Sequence, residues 1–472
     1  MKMLSLQGMF KPRSVMVVGI SNKPENLGYT VLLSLREFGF PGKVYLVNPR
    51  LTEILGLKVH NSLEEIPETV DLAVICTSAE KVPSILQKIV DERKARWVVV
   101  YAAGFGELRT EEGLTLEEEI RRIIYGSEVH VVGPNCIGVY SFPGKINTLT
   151  GARDTYKLIS ELSGEGNVGF ISQSGWFTIQ FMSACVLRGV YLNKAVSTGN
   201  ETDLTTTDFM ECFAEDPEIR VISSYLEGVK DGRKFIETLK KTTLKKPVII
   251  WKVGKTNVGK EAVKSHTGSL AGSAEIYDAV FRQFGVVSAE GNEDLIDYTV
   301  TFATCKSFLG KGRVGIVSGP GGFAVATAEA CEKFGLKVPK LSSQTVEKLR
   351  KVLPKFAGGL LNPVDLTMRV GMEPELYRNA LEVVAEDENV DLLIVVGNPP
   401  IYQTIKDLVK NLEKPVFAVL GYFKDFFEET KKLVKIGVPT YPSPEKAVKS
   451  IKALLNYQTY LEKKNVGSGA WI

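Results

Sequence analysis

Short runs of β-branched and apolar residues recur along the chain, each closed by a turn of small residues and followed by a helical spacing of apolar positions. In the first third these runs are Ser14–Val18, Val44–Val47, Leu72–Ile75, Trp97–Val100 and Val129–Val132. An apolar run without alternation describes a strand buried on both faces, and a helical period between successive strands describes the crossover of a parallel sheet. The pattern predicts a doubly wound α/β fold, in which ligands gather at the carboxyl ends of the strands.

The stretch from Ser141 to Asn167, with Pro143, several glycines and mixed charge, reads as a linker over 141–166. Strands resume at Val168–Ser172, Ala195–Thr198, Val221–Leu226 and Val248–Trp251, and a helix near Leu295–Phe308 closes the second unit. A third opens at Val314–Ser318, continues through Leu392–Val396 and Val416–Leu420, and ends in a helix over Pro444–Lys463. The expected domains are 1–140, 167–308 and 309–464, with a tail over 465–472.

Composition narrows the partners. A chain of 472 residues is too long for one ordinary domain, and 44% hydrophobic with 24% charged residues is globular. A net charge of +3 on 58 basic and 55 acidic side chains offers no clustered basic face for nucleic acid. Six cysteines without a C-x-x-C pair read as reduced thiols, and three dispersed histidines give no metal-ligand spacing. The first thirteen residues lack a signal-peptide pattern, and no apolar run approaches the ~20 residues of a membrane span. The expectation is a cytoplasmic protein with neither metal nor membrane, acting on small molecules.

Candidate chemistry centres on His266, in Lys264-Ser265-His266-Thr267-Gly268-Ser269-Leu270-Ala271-Gly272. An imidazole attacks phosphoryl or acyl groups near neutral pH, and small neighbours let a charged substrate approach; the plainer alternative is a solvated loop histidine. Two strand-to-helix turns look alike: Ser172-Gln173-Ser174-Gly175 and Ser318-Gly319-Pro320-Gly321-Gly322. Each presents the amides and positive dipole end of a helix, and together they suggest one phosphate held between two helix ends.

The first loop, Gly19-Ile20-Ser21-Asn22-Lys23-Pro24-Glu25-Asn26-Leu27-Gly28, lies where a dinucleotide would bind, yet lacks the second glycine of G-x-G-x-x-G. After the second strand, Asn48-Pro49-Arg50 stands where an NAD site usually places an acid. An arginine there suits a nucleotide with an additional phosphate, such as the 3′-phosphate of coenzyme A.

These motifs resemble those of the nucleoside-diphosphate-forming acyl-CoA synthetases, the family that includes succinyl-CoA synthetase. The resemblance spans nearly the whole chain. It rests on the first loop, Gly133-Pro134-Asn135-Cys136, Ser172-Gln173-Ser174-Gly175, and above all Lys252-Val253-Gly254-Lys255-Thr256 leading into Ser265-His266-Thr267-Gly268. A third unit carrying Asn362-Pro363-Val364-Asp365-Leu366-Thr367 is similar to that in the α subunit of archaeal ADP-forming acetyl-CoA synthetases. The resemblance implies a Rossmann-like CoA-binding domain followed by two flavodoxin-like domains. It also implies a reaction through acyl phosphate and a phosphorylated His266, with Glu227 contacting that histidine; the plainer reading of Glu227 is a solvated loop carboxylate. By the same resemblance Ser174, Gly175, Gly321 and Gly322 hold phosphate, and Ser21, Lys23, Arg50, Ala102, Ala103 and Asn135 lie in the CoA-binding loops.

No P-loop and no segment resembling an ATP-grasp domain occurs in the sequence. The resemblance therefore implies a separate β subunit of ATP-grasp fold that carries ADP or ATP with Mg, in an α2β2 assembly. The residues leave the acid open between acetate, branched-chain and aryl acids, and the nucleotide between ADP and GDP. Trp176, after Ser174-Gly175, has three readings: a wall narrowing the acyl pocket, a stacking face for an aryl acid, or a core side chain. Two other classes compete with the ligase: a non-catalytic CoA-sensing module, which has no need of both Glu227 and His266, and an NAD-dependent oxidoreductase, which the first loop disfavours.

Overall fold

All five residues of Ser14–Val18 are buried, as a strand covered on both faces requires. In the computed structural model this strand, β1, lies inside a sheet with β2 (Lys43–Val47), β3 (Glu53–Ile54), β4 (Leu57–His60), β5 (Val70–Ile75), β6 (Ala95–Val100) and β7 (His130–Val132). The structure describes residues 6–150, 154–267, 272–355, 359–367, 373–397 and 401–466; the side chains of 264–267 lie outside the description. The order is β3-β4-β2-β1-β5-β6-β7, parallel except for the β3–β4 pair. The chain builds outward from β1 on one side and restarts at β5 on the other, so a crevice opens over the carboxyl ends of β1 and β5. This is the Rossmann-like sheet expected from the sequence.

The second sheet holds β8 (Gly138–Ser141), β9 (Ile146–Asn147), β10 (Val168–Ser172), β11 (Leu192–Ser197), β12 (Val221–Leu226), β13 (Val248–Lys252) and β14 (Val287–Ala289), ordered β14-β13-β12-β10-β11-β8-β9. Its parallel centre has the flavodoxin-like order, with β11 and β12 flanking β10. The segment expected as a linker over 141–166 differs. Gly138–Ser141 pairs antiparallel with β11, Ile146–Asn147 pairs back onto it, and a helix follows over Thr155–Glu161. Pro143 and Gly144 therefore sit in a hairpin turn. Tyr140 and Ile146 are fully buried, so burial drives the pairing and the edge of β11 gains a hydrogen-bonded neighbour.

The third sheet has β15 (Val314–Ser318), β16 (Val364–Asp365), β17 (Leu392–Gly397), β18 (Val416–Leu420) and β19 (Thr440–Tyr441), in the all-parallel order β16-β15-β17-β18-β19. Asn362 anchors it: its Nδ2 donates to the carbonyls of Val314 at 2.7 Å and Pro339 at 2.9 Å, and its Oδ1 accepts from the Ile316 amide at 3.0 Å. The helix Pro444–Lys463 forms as the sequence indicates, with Ser443 capping its first turn.

The chain divides into two compact units. One comprises Met1–Ser183 and Tyr191–Ser288, and so contains the first sheet and nearly all of the second; the other comprises Ala184–Val190 and Ala289–Ile472. No helix among the described residues is long and apolar enough to cross a membrane.

Candidate active site

Glu227 follows β12 directly and is 2% exposed, which overturns its reading as a solvated loop carboxylate. Its position is set by two side chains that the sequence did not single out. Gln173, at the end of β10, accepts the Glu227 amide at 2.6 Å and the Gly228 amide at 3.1 Å through Oε1, and its Nε2 donates to the Gly228 carbonyl at 3.0 Å. Lys252, the last residue of β13, donates from Nζ to the Glu227 carbonyl at 2.8 Å. The strand ends of β10, β12 and β13 are thus tied together around one carboxylate.

Tyr225 lies two residues earlier on the same face of β12, since side chains alternate along a strand. Its phenol is held above its ordinary pKa, first by burial, then by the Glu227 charge and by a hydrogen bond to that carboxylate. Its ring packs against Phe177 at 4.8 Å and Trp251 at 5.2 Å between centroids. The core reading of Trp176 fails: it is 74% exposed, while the neighbouring Phe177 takes the inward position. An exposed ring remains compatible with a wall or a stacking face for an acyl group.

His266 lies in the last turn of a helix over Asn257–Thr267, where the sequence suggested a loop; its side chain, and residues 268–271, lie outside the description. The backbone places that helix against the short 3-10 turn Gly106–Leu108, which follows Ala102 and Ala103 at the end of β6. On leaving the loop the chain enters a helix over Ala274–Gln283, whose Tyr277 ring lies 4.7 Å from Lys252 Nζ.

Ser174 and Gly175 open the helix Gly175–Leu187. Ser172 Oγ accepts the Ser174 amide at 3.1 Å and donates to the Ser174 carbonyl at 2.8 Å, which fixes the turn and leaves the first-turn amides directed along the helix axis. Gly175 is required on steric grounds, because a Cβ there would meet Ile137 Cγ2 at 2.6 Å. In the second unit Gly321 and Gly322 open the helix Gly321–Lys333, but that end differs electrostatically. A Cβ on Gly321 would lie 2.8 Å from the Asp365 carboxylate, so negative charge already stands there.

The candidate CoA residues fall on loops at the carboxyl ends of the first sheet. Ser21 and Lys23 follow β1, Arg50 follows β2, Ala102 and Ala103 follow β6, and Asn135 follows β7. Lys23 and Arg50 are exposed. Asn26, missed in the sequence, organises the first loop: its Oδ1 accepts the amides of Ser21 and Tyr29, each at 3.0 Å, and its Nδ2 donates to the Gly19 carbonyl at 3.1 Å. Gly19 has φ +91°, and a Cβ on it would meet the Cys76 carbonyl oxygen at 2.6 Å. Asn48 donates to the Ile20 carbonyl at 2.6 Å and accepts the Arg50 amide at 2.8 Å, linking two of these loops. The Asn135 amide donates to the Ala102 carbonyl at 2.9 Å, and its Nδ2 donates to Asn200 Oδ1 at 3.3 Å.

Residues 13–141 match the model of a CoA binding domain, and residues 165–302 match that of a succinyl-CoA ligase like flavodoxin domain. A Rossmann-like sheet with open strand ends, joined to a flavodoxin-like sheet, thus has the domain make-up of a CoA ligase. The chain is 38% identical over 98% of both chains to the α subunit of ADP-forming acetate–CoA ligase II from Pyrococcus furiosus. It is 34% identical to the α subunit of isoenzyme I from that organism, over 98% of this chain and 99% of the other. Among solved structures it is similar to the dinucleotide-forming acetyl-coenzyme A synthetase 1 of Ca. Korarchaeum cryptofilum in complex with phosphate and ADP. That match has a TM-score of 0.87 and 32% identity over 97% of this chain and 98% of the other. The chain belongs to the family of ADP-forming acetate–CoA ligase α subunits. Similarity over both whole chains does not favour the CoA-sensing module.

Proposed function

We propose that this chain catalyses acyl-CoA + phosphate + ADP ⇌ acid + CoA + ATP, with acetate as the acid, and that His266 carries the phosphoryl group. Phosphate, held at the N-terminus of the helix that Ser174 and Gly175 open, attacks the thioester carbonyl. The C–S bond breaks, CoA leaves as the thiol, and an acyl phosphate forms. An imidazole nitrogen of His266 then attacks phosphorus; the P–O bond to the acyl group breaks and the acid departs as carboxylate. An oxygen of the ADP β-phosphate takes the group from the histidine as the N–P bond breaks, giving ATP. Glu227 accepts a hydrogen bond from the other ring nitrogen, which fixes the tautomer and stabilises the cationic phosphohistidine.

Ser21, Lys23 and Arg50 bind the phosphates of CoA, while Ala102, Ala103 and Asn135 line the path of its pantetheine arm. The observation that carries this reading is Glu227, buried yet held at the meeting point of three strand ends, in the unit where the helix bearing His266 packs against the turn after Ala102–Ala103. The α-subunit names of the relatives support a partner chain, and we assign to it the ATP-grasp fold, the ADP or ATP with Mg, and an α2β2 assembly in the cytoplasm. The test is ATP formation from acetyl-CoA, phosphate and ADP. The full chain with an ATP-grasp partner is expected to form ATP, and neither chain alone is. ATP formation by this chain unaided would overturn the division of labour.

A further inference from the structure

Two buried lysines stand on strands of the second sheet, and they are paired differently. Lys194 on β11 is fully buried and meets Asp216 at 2.8 Å and Glu218 at 2.9 Å, the arrangement that makes a buried ammonium tolerable. Lys252 on β13 is 3% exposed, yet its hydrogen-bond partners among the described residues are neutral carbonyls: Glu227 at 2.8 Å and Val253 at 2.5 Å. The Tyr277 ring at 4.7 Å adds a cation–π contact. A buried cation whose direct hydrogen bonds go to neutral carbonyls is costly, and the cost is relieved when a further anion arrives.

We propose that Lys252 is a positioning residue for phosphoryl transfer: it holds the main chain of Glu227 to the end of β13, and its charge balances the anion handled by Glu227 and His266. This inference rests on the phosphohistidine reading above. The groups around the ammonium agree with it. Burial lowers its pKa to about 8; Glu227 at the end of β12 opposes that fall, while Lys255 in the following loop and Lys260 on the Asn257–Thr267 helix reinforce it. Tyr277, on the Ala274–Gln283 helix, presents its ring face. The empty site therefore loses the cation as pH rises through about 8, and a bound phosphate dianion would restore it.

The test measures the initial rate of acid-labile ³²P label on the full chain, mixed with its partner, acetyl-CoA and labelled phosphate, from pH 6.5 to 9.5. At subsaturating phosphate, where the rate reports the empty site, the wild type is expected to lose rate with an alkaline midpoint near 8. Lys252→Met is expected to be slower by roughly tenfold or more at pH 7 and to lack that limb. Lys252→Arg is expected to recover to within about threefold and to stay active beyond pH 9, because a guanidinium keeps its proton there. A wild-type rate and pH profile in Lys252→Met would overturn the inference. So would an unchanged alkaline midpoint in Lys252→Arg, which decides the matter even where Lys252→Met does not fold. Label surviving in His266→Ala would instead refute the phosphohistidine reading itself.

Discussion

Replacing Gln173 with alanine removes both ends of a clamp that joins β10 to the loop carrying Glu227. Three backbone groups lose their partner: the amides of Glu227 and Gly228 and the carbonyl of Gly228. At ~1 kcal/mol each, the low end for an orphaned buried group because a strand-end loop can admit water, the loss is about 3 kcal/mol. For a unit of this size that lowers the melting temperature by roughly 6 °C. Activity should suffer more than stability. The clamp fixes the carboxylate, and a displacement of about 1 Å in a reacting constellation costs on the order of 100-fold in rate. Gln173→Glu keeps an acceptor for both amides but loses the donor to Gly228, so it should fall between the two. The assays are differential scanning calorimetry and the rate of ³²P incorporation from acetyl-CoA and phosphate. A Gln173→Ala protein that melts within about 1 °C of wild type and labels within about twofold of its rate would refute the argument.

Three further outcomes are expected. Glu227→Gln keeps the side-chain shape and removes the charge that would stabilise a cationic phosphohistidine, so label formation should drop by about 100-fold with little change in melting temperature, read by the same two assays. Arg50→Ala should weaken CoA by about tenfold while leaving dephospho-CoA unaffected, measured by calorimetric titration, since the arginine is assigned to the 3′-phosphate. Lys252 has a lowered folded pKa of about 8, so between that value and its ordinary 10.5 the unfolded chain binds the extra proton. Wild type should therefore gain stability relative to Lys252→Met as pH rises through that window, and denaturant midpoints at pH 7.5 and 9.5 will show it.

The strands that form the sheet centres were legible because they are apolar without alternation: Ser14–Val18, Val221–Leu226, Val314–Ser318 and Val416–Leu420 lie where the pattern puts them. The hairpin Gly138–Asn147 was not, because its strands are four and two residues long and its turn residues mimic a linker. In the site, Glu227 was found through its motif, but the groups that hold it were hidden. Gln173 acts on residues 54 and 55 positions away, and Lys252 reaches a carbonyl 25 positions back, so neither leaves a local period or spacing. The available signals were a glutamine inside a small-residue turn and a lysine ending the apolar run Val248–Trp251. Trp176 shows the converse: its residue type favours the core, yet its place in the first turn after Gly175 leaves it exposed.

The most direct test of the central claim is to locate the phosphate. The full chain, mixed with its partner, acetyl-CoA and phosphate without ADP, would be quenched in alkali and mapped by mass spectrometry and ³¹P NMR. The account predicts one acid-labile, alkali-stable phosphate on His266, discharged to ATP when ADP is added. Phosphate on another residue, or ATP formed by the His266→Ala chain, would contradict it.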